Sequence, residues 1–215
     1  MVEDDKFFDF GDPDKEVELD DGHVYVGDDI NITEKHPGIH LLQFGLGWDF
    51  NNFSGDPLDL DASLFLLDKD EQTREDEDFI FYNSLMALNG AIKHHGDSRS
   101  GAGDGDDEQV SVDLHGIPFD VVRIVVFVSI YQGEEKDQNL GMLRNLYLRV
   151  VNEENKHEIL RFDITEELKD NPDTGVVVAY LDREGPKWHF RPTIEFIKGG
   201  LKTYAMSKGL NIIDQ

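Results

Sequence analysis

Segments in which apolar and polar residues alternate constrain the fold of this chain more than any other feature. The clearest spans residues 58–66, where every second position is Leu or Ala. A period of two sends successive side chains to opposite faces of an extended chain, as in a β-strand. Many such segments follow at short spacing, with turns rich in Gly, Pro and Asp between them, which is typical of a sandwich. The sequence therefore predicts an all-β fold, an antiparallel β-sandwich of two sheets with short peripheral helices.

The same pattern places the individual strands. The most apolar segment, 121–131, is predicted to be a central strand. Helical signals are fewer: a short helix is expected over 165–168, where a Thr cap precedes two acids, and a C-terminal helix within 194–208 is weakened by a Gly-Gly pair. The predicted strands cover residues 17–19, 24–26, 30–33, 39–46, 58–66, 79–82, 110–114, 121–131, 146–150, 159–162, 176–181 and 188–195.

The first residues differ from the rest of the chain. Residues 1–16 are rich in Asp, Glu and Phe, contain Pro13 and show no regular period. This composition is typical of a disordered extension, although its Phe side chains would also suit docking onto a partner. We therefore expect an acidic flexible tail over 1–16 and a single β-sandwich domain over 17–215.

The charge of the chain excludes several classes of protein. Its 46 acidic and 20 basic residues give a net charge of −26. Such a surface repels phosphates, so we expect no nucleic-acid partner, and it repels anionic membranes likewise. No apolar run approaches the roughly 20 residues of a membrane helix, and the acidic start is unlike a secretory signal, so we expect no membrane insertion and a cytoplasmic location. The chain has no Cys, which excludes disulfide scaffolds and thiol chemistry.

Some of the acids are clustered rather than spread over the surface. The glycine-acid loop, residues 94–108, contains alternating glycines followed by three consecutive acids. Glycine lets the backbone curl, so carbonyls and carboxylates can converge, and Ca²⁺ takes about 6–8 oxygen ligands. The alternative is a mobile, solvated hairpin loop. The candidate ligands in this loop are Asp97, Asp104, Asp106, Asp107 and Glu108.

A second cluster lies on the alternating segment. Asp59 and Asp61 are two residues apart, so both carboxylates lie on one face of the predicted strand. Two like charges side by side are unfavourable unless the face is wet or a cation sits between them, and both alternatives remain open. Asn83 follows another predicted strand and offers a neutral oxygen. The acids of 68–78 are mixed with Lys and Arg and are predicted to form a solvated turn, so a saline habitat also remains an explanation for part of the charge.

Catalytic motifs are scarce. The chain has eight His but no H-E-x-x-H, and it has no G-x-S-x-G elbow. His95 lies near the acids and is the best candidate for a base or a ligand. Because adjacent residues of a strand face opposite sides, at most one of His94 and His95 is expected to reach the loop. We therefore expect no enzymatic activity, with a calcium-dependent hydrolase as the weakest alternative.

Five motifs in fixed order carry a family resemblance. They are G-L-G-W-D at 45–49, D-L-D-A-S at 59–63, D-F-I-F-Y-N at 78–83, the glycine-acid loop with its flanks at 94–110, and V-S-I-Y at 128–131. Together they resemble the tellurium-resistance TerD family, which also includes stress proteins and slime-mould cAMP-binding proteins. The match covers approximately residues 30–204. The chain departs from the family in its acidic tail and in Ser98 and Arg99, where the family commonly has Asn and Leu.

The resemblance implies a β-sandwich that binds about two Ca²⁺ ions through acidic loops and acts in cytoplasmic stress responses, including tellurite resistance. It implies no established enzymatic activity. Carried over by motif, the expected metal ligands are the eight candidates above. Arg99 places a cation beside them, which lowers the expected affinity. Our sequence-based hypothesis is a calcium-binding stress-response protein with Ca²⁺ as its cofactor and other stress-response proteins as partners; the alternative is an adaptor in which calcium is structural.

Overall fold

The computed structural model describes residues 22–50, 58–97 and 105–210. Twelve strands and two short α-helices lie within these ranges. In chain order they are β1 Ile30–Asn31, α1 Ile32–Lys35, β2 Leu41–Phe50, β3 Leu60–Leu67, β4 Phe79–Ile80, β5 Met86–Ala87, β6 Ile92–Asp97, β7 Glu108–Asp113, β8 Arg123–Ile130, β9 Leu143–Asn152, β10 His157–Asp163, β11 Gly175–Glu184, β12 Lys187–Ile197 and α2 Gly200–Ser207. The acidic tail predicted over 1–16 lies outside the described residues.

The strands form two six-stranded sheets. The first has the order β1-β12-β11-β8-β3-β4, and the second has the order β10-β9-β2-β7-β6-β5. Every neighbouring pair within the two sheets is antiparallel. This arrangement confirms the predicted all-β sandwich. Among the described residues, neither helix has the length and hydrophobicity needed to span a bilayer.

Strand β3 shows how the alternation builds the core. Leu64 and its inward-facing neighbours pack between the two sheets, whereas Phe65 belongs to a second cluster on the outer face of the first sheet. Helix α2 covers that cluster with Tyr204, whose ring centroid lies 5.0 Å from that of Phe65 and 4.8 Å from that of Phe127. Burying each of these aromatic side chains contributes about 1.5–3 kcal/mol. The middle of the first sheet is therefore apolar on both faces, which explains the uninterrupted hydrophobic run in β8.

Several predicted elements are confirmed and others are wrong. The segment 121–131 is indeed central, since β8 lies between β3 and β11. The strand predicted over 30–33 ends at Asn31, because the Asn31 side chain accepts a hydrogen bond from the Glu34 N–H and caps α1. The helix predicted over 165–168 is wrong: its backbone makes i→i−3 bonds that form successive turns, such as Asn171 N–H to Leu168 O at 3.0 Å.

The C-terminal helix is shorter than the predicted range 194–208. Strand β12 continues to Ile197, and α2 starts only at Gly200. Gly199 and Gly200 have φ values of 82° and 57°. Glycine adopts this left-handed region at low cost, so the Gly-Gly pair provides the sharp turn from strand to helix.

Candidate metal site

Five of the eight predicted ligands lie at one end of the sandwich, at or just before the starts of β3 and β7. Strand β7 begins at Glu108, which pairs with Leu46 near the end of β2. The Glu108 carboxylate reaches across to the first sheet, where its Oε2 accepts a hydrogen bond from the Ala62 N–H near the start of β3. The starts of β3 and β7 therefore meet, and we call this region, Asp59–Asp61 with Asp106–Glu108, the acidic end.

Glu108 is an inward-facing acid at this end. Its residue is 2% exposed, and so is His94, whose Nε2 lies 3.8 Å from the Glu108 Oε2. The His94 Nδ1 accepts a hydrogen bond from the Gly96 N–H, so its proton sits on Nε2, which donates to the Ala62 carbonyl. Burial lowers the pKa of His94. The imidazole beside Glu108 is therefore neutral and supplies no positive charge.

Asp107 is held by the end of β2. Its Oδ2 accepts a hydrogen bond of 2.9 Å from the Trp48 N–H, and its own N–H donates to the Leu46 carbonyl. The G-L-G-W-D motif thus positions Asp107 through backbone groups. The hydrogen bond from Trp48 orients the Asp107 carboxylate at the acidic end, and its assignment as a metal ligand stays a prediction.

Asp106 has a different environment. Its carboxylate accepts hydrogen bonds of 2.7 and 3.0 Å from the Arg149 guanidinium, and further bonds from Tyr147 and Gln109. Burial, and then the Asp106 charge, raises the pKa of Tyr147 to about 12. A Cβ on Gly45 would lie 2.1 Å from the Asp106 Oδ2, so glycine is required for the carboxylate to pack over β2. The Asp106 charge is already paired in the protein, and its assignment as a metal ligand stays a prediction.

Asp59 and Asp61 lie near two tyrosines. Asp59 is exposed and Asp61 is half-buried. The Asp59 carbonyl accepts a 2.7 Å hydrogen bond from the Tyr131 N–H, and the Tyr131 ring lies 5.8 Å from that of Tyr82. Burial, followed by the charges of Tyr131, Asp61 and Asp59, raises the pKa of Tyr82. Asn83 is exposed in the same turn as Tyr82, and its role as a ligand stays a prediction.

The remaining two predicted ligands belong to the chain segment between β6 and β7. Asp97 ends β6 and pairs with Glu108 in the sheet, but its side chain is outside the described part of the structure. Asp104 lies outside the described residues altogether. The backbone of Asp97 is therefore at the acidic end, and ligation by either side chain stays a prediction.

The donors at the acidic end fit a hard cation. All the predicted ligands offer oxygen, which Ca²⁺ prefers. The His nearest to them, His94, has its two nitrogens in hydrogen bonds, and His95 bonds to Ser111 at 2.7 Å. Neither imidazole is therefore placed as a ligand or as a base for this group of carboxylates.

Two groups of side chains were missed by the sequence reasoning. Within the described ranges, groups of three His, Asp or Glu ligand atoms lying within 4.8 Å of one another occur at two places: His40–Asp113–His115 and Asp29–Glu184–His189. The Asp-x-His spacing of the first is a local signal, but nothing in the sequence connects it to His40.

The turn over 68–78 also holds a structural ion pair. Asp78 is fully buried, and both of its oxygens accept hydrogen bonds from the Arg74 side chain. The hydrogen bond to Asp78 is the main cause of the raised pKa of Arg74. The sequence predicted a solvated turn over 68–78, and the buried Asp78 is an exception to that prediction.

The fold and the acidic end define a class of antiparallel β-sandwich proteins with carboxylate-bearing loops at one end. A family model described as TerD domain matches residues 23–207. The chain belongs to the TerD domain family, which confirms the resemblance.

Related proteins agree with this assignment. General stress protein 16U of Bacillus subtilis is 37% identical over 187 residues, which cover 86% of this chain and 96% of that protein. Tellurium resistance protein TerD of Serratia marcescens is 35% identical over 185 residues, which cover 86% and 95%. The crystal structure of a Streptomyces coelicolor homologue of the telluride resistance protein TerD superposes with a TM-score of 0.63, covering 78% of this chain and 96% of that one. At 20% identity, this last likeness concerns the fold alone.

Proposed function

We propose that this protein is a calcium-binding stress-response protein that holds about two Ca²⁺ ions at its acidic end. The observation that carries the proposal is the meeting of Asp107 and Glu108 with the start of β3 through the Glu108–Ala62 hydrogen bond. Membership of a family with stress and tellurium-resistance proteins supports the stress-response part. The cytoplasm remains the location expected from the sequence.

The residues at the acidic end would have unequal roles. Asp107 and Glu108 are oriented by backbone N–H groups of Trp48 and Ala62, so their carboxylates need little reordering to receive a cation. Asp59 and Asp61 would add an exposed and a half-buried carboxylate from the start of β3. Asp106 would support the site by fixing the start of β7 through Arg149. The bound ion would supply positive charge that offsets repulsion among these acids.

Thermal unfolding in calcium and in chelator tests the proposal. A ligand that binds only the folded state at 100 times its Kd stabilises it by about 2.7 kcal/mol. For a chain of this size, each kcal/mol raises Tm by about 2–4 °C, so calcium should raise Tm by about 5–11 °C. Calorimetric titration should give a saturable heat. Equal melting temperatures in both buffers, together with no heat of binding, would reject calcium binding.

Charge-matched variants locate the ions. D59N/D61N and D107N should weaken calcium binding, since each removes a carboxylate from the acidic end. E75Q/D76N removes the same two charges as D59N/D61N from exposed positions of another turn and should leave affinity nearly unchanged. Equal losses in both double variants would mean that calcium responds to overall charge and would refute a defined site.

The alternatives from the sequence have less support. An adaptor role agrees with the exposed apolar side chains of Leu85 and Met86, just before and at the start of β5, which are 43% and 61% exposed. A hydrolase would need a base near the carboxylates, and His95 instead bonds to Ser111 on the outer face of β7. Both remain proposals, and the adaptor role is compatible with calcium binding.

A further inference from the structure

A second group of ligands lies far from the acidic end. His40 precedes β2, whereas Asp113 ends β7 and His115 follows it. One ligand atom of each lies within 4.8 Å of the others. Because β2 and β7 are antiparallel, with Leu41 paired to Asp113, the register of the second sheet itself brings these residues together.

The backbone holds this group in place. The Leu114 N–H donates a 2.8 Å hydrogen bond to the His40 carbonyl, and the Asp113 N–H donates one of 2.7 Å to the Ala91 carbonyl. The Asp113 Oδ1 accepts a 3.0 Å hydrogen bond from the His115 N–H and caps the one-turn 3₁₀ helix Leu114–Gly116. The carboxylate is thus fixed by its Oδ1, while its Oδ2 accepts no hydrogen bond from the described residues.

The two imidazole rings lie face to face. The rings of His40 and His115 stack with centroids 4.5 Å apart and planes 8° apart. Glu154, on the turn between β9 and β10, places its Oε2 3.9 Å from the His40 Nδ1. Two imidazoles and the Asp113 carboxylate form a mixed nitrogen and oxygen donor set that is open to solvent. An imidazole ligates in the plane of its ring, so binding of one ion by both would turn the rings out of their stack.

The other group of three, Asp29–Glu184–His189, already contacts a cationic side chain, that of Arg191. The Arg191 guanidinium donates to the Asp29 Oδ2 at 2.7 Å and to the Glu184 Oε1 at 2.5 Å. His189 lies 2.6 Å from Asp29. Hydrogen bonds from His189 and Arg191 outweigh the opposite effect of burial and lower the pKa of Asp29. A metal ion there would have to displace the arginine, so this group serves as a comparison rather than as a site.

We propose that His40, Asp113 and His115 form a binding site for a divalent transition-metal ion, with zinc as the best fit. Imidazole and carboxylate are common Zn²⁺ ligands, and three protein ligands with a fourth open position are a recurrent arrangement. Imidazole nitrogen selects such metals over Ca²⁺, which takes oxygen ligands. The site is therefore distinct in chemistry and in position from the acidic end, and its fourth coordination position is open to solvent.

Zinc titration of the full-length, tag-free chain in excess Ca²⁺ tests this site. We expect one Zn²⁺ per chain by calorimetry and unchanged binding when Ca²⁺ is raised further. The variant H40A/H115A should lose at least about tenfold in affinity, since even an indirect supporting partner of a metal ligand is typically worth 10–100-fold. D113N should also weaken binding, and it keeps the Oδ1 that caps the following turn, so its fold should be preserved.

The matched control is H189A, which removes a histidine from the group that contains Arg191. It should leave zinc affinity unchanged. The proposal is overturned if H40A/H115A and D113N both bind zinc like the parent protein. It is equally overturned if H189A loses as much affinity as H40A/H115A, because binding would then reflect surface histidines in general.

Discussion

Replacing Arg149 by Met should destabilise the fold by about 2–4 kcal/mol. The Asp106 side chain is fully buried, and the Arg149 guanidinium meets it through two hydrogen bonds. Removing one partner of a buried ion pair typically costs about 3–5 kcal/mol, because the remaining charge is left uncompensated. The expected value is lower here because Arg149 is 29% exposed, and Tyr147 and Gln109 still donate to Asp106.

Urea unfolding followed by circular dichroism measures this change. At about 2–4 °C per kcal/mol, the Tm should fall by roughly 4–16 °C. The double variant R149M/D106N should cost less than the sum of the single variants, since it removes both members of the pair. K187M, which breaks the exposed pair with Glu34, should change stability very little. A loss for R149M as small as that for K187M would refute the reasoning that Asp106 depends on this cation.

Two further predictions concern packing and alkaline pH. G45A should destabilise the protein by about 1–3 kcal/mol in urea, because its Cβ would overlap Asp106, whereas G105A meets nothing within 4 Å and should be nearly neutral. Burial, and then the Glu195 charge, raises the pKa of Tyr204 in the folded state. The unfolded chain therefore releases this proton first, and the stability present below about pH 10 is lost as the pH rises above it. Y204F should match the parent at pH 7 and lose less stability in unfolding measurements above pH 10; the same pH dependence in both would refute this role of Tyr204.

How well the sequence predicted each element depended on whether neighbouring or distant residues specify that element. Residues 58–66 were readable because alternation is a local property that tertiary packing uses directly. The cap at Asn31 is also a local signal, since Asn followed three residues later by Glu34 is typical of a helix start. The strand over 30–33 was predicted from the alternating isoleucines alone. Strand β6 was not predicted, because His94 is a polar residue in the sequence pattern although it is buried in the structure. Only the contact of His94 with the Ala62 carbonyl explains why this side chain faces inward.

The candidate site divides in the same way. Sequence clustering brought Asp106, Asp107 and Glu108 together, but it could not distinguish their roles. That distinction depends on partners far along the chain, such as Arg149 for Asp106 and Ala62 for Glu108. A run of three acids therefore indicated where carboxylates gather, whereas the sheet register decides which of them is already neutralised by the protein.

The register also separates the two proposed metal sites. Strand β7 carries Glu108 at its first residue and Asp113 at its last, so the sites are about 17 Å apart at roughly 3.3 Å per residue. Charges further apart than the Debye length of about 8 Å at physiological salt interact weakly, so an ion at one end changes the affinity at the other very little. The ends also differ in donors, with carboxylate oxygens at one and imidazoles with a carboxylate at the other. One strand can therefore present two sites that select different metals, and each can be removed without the other.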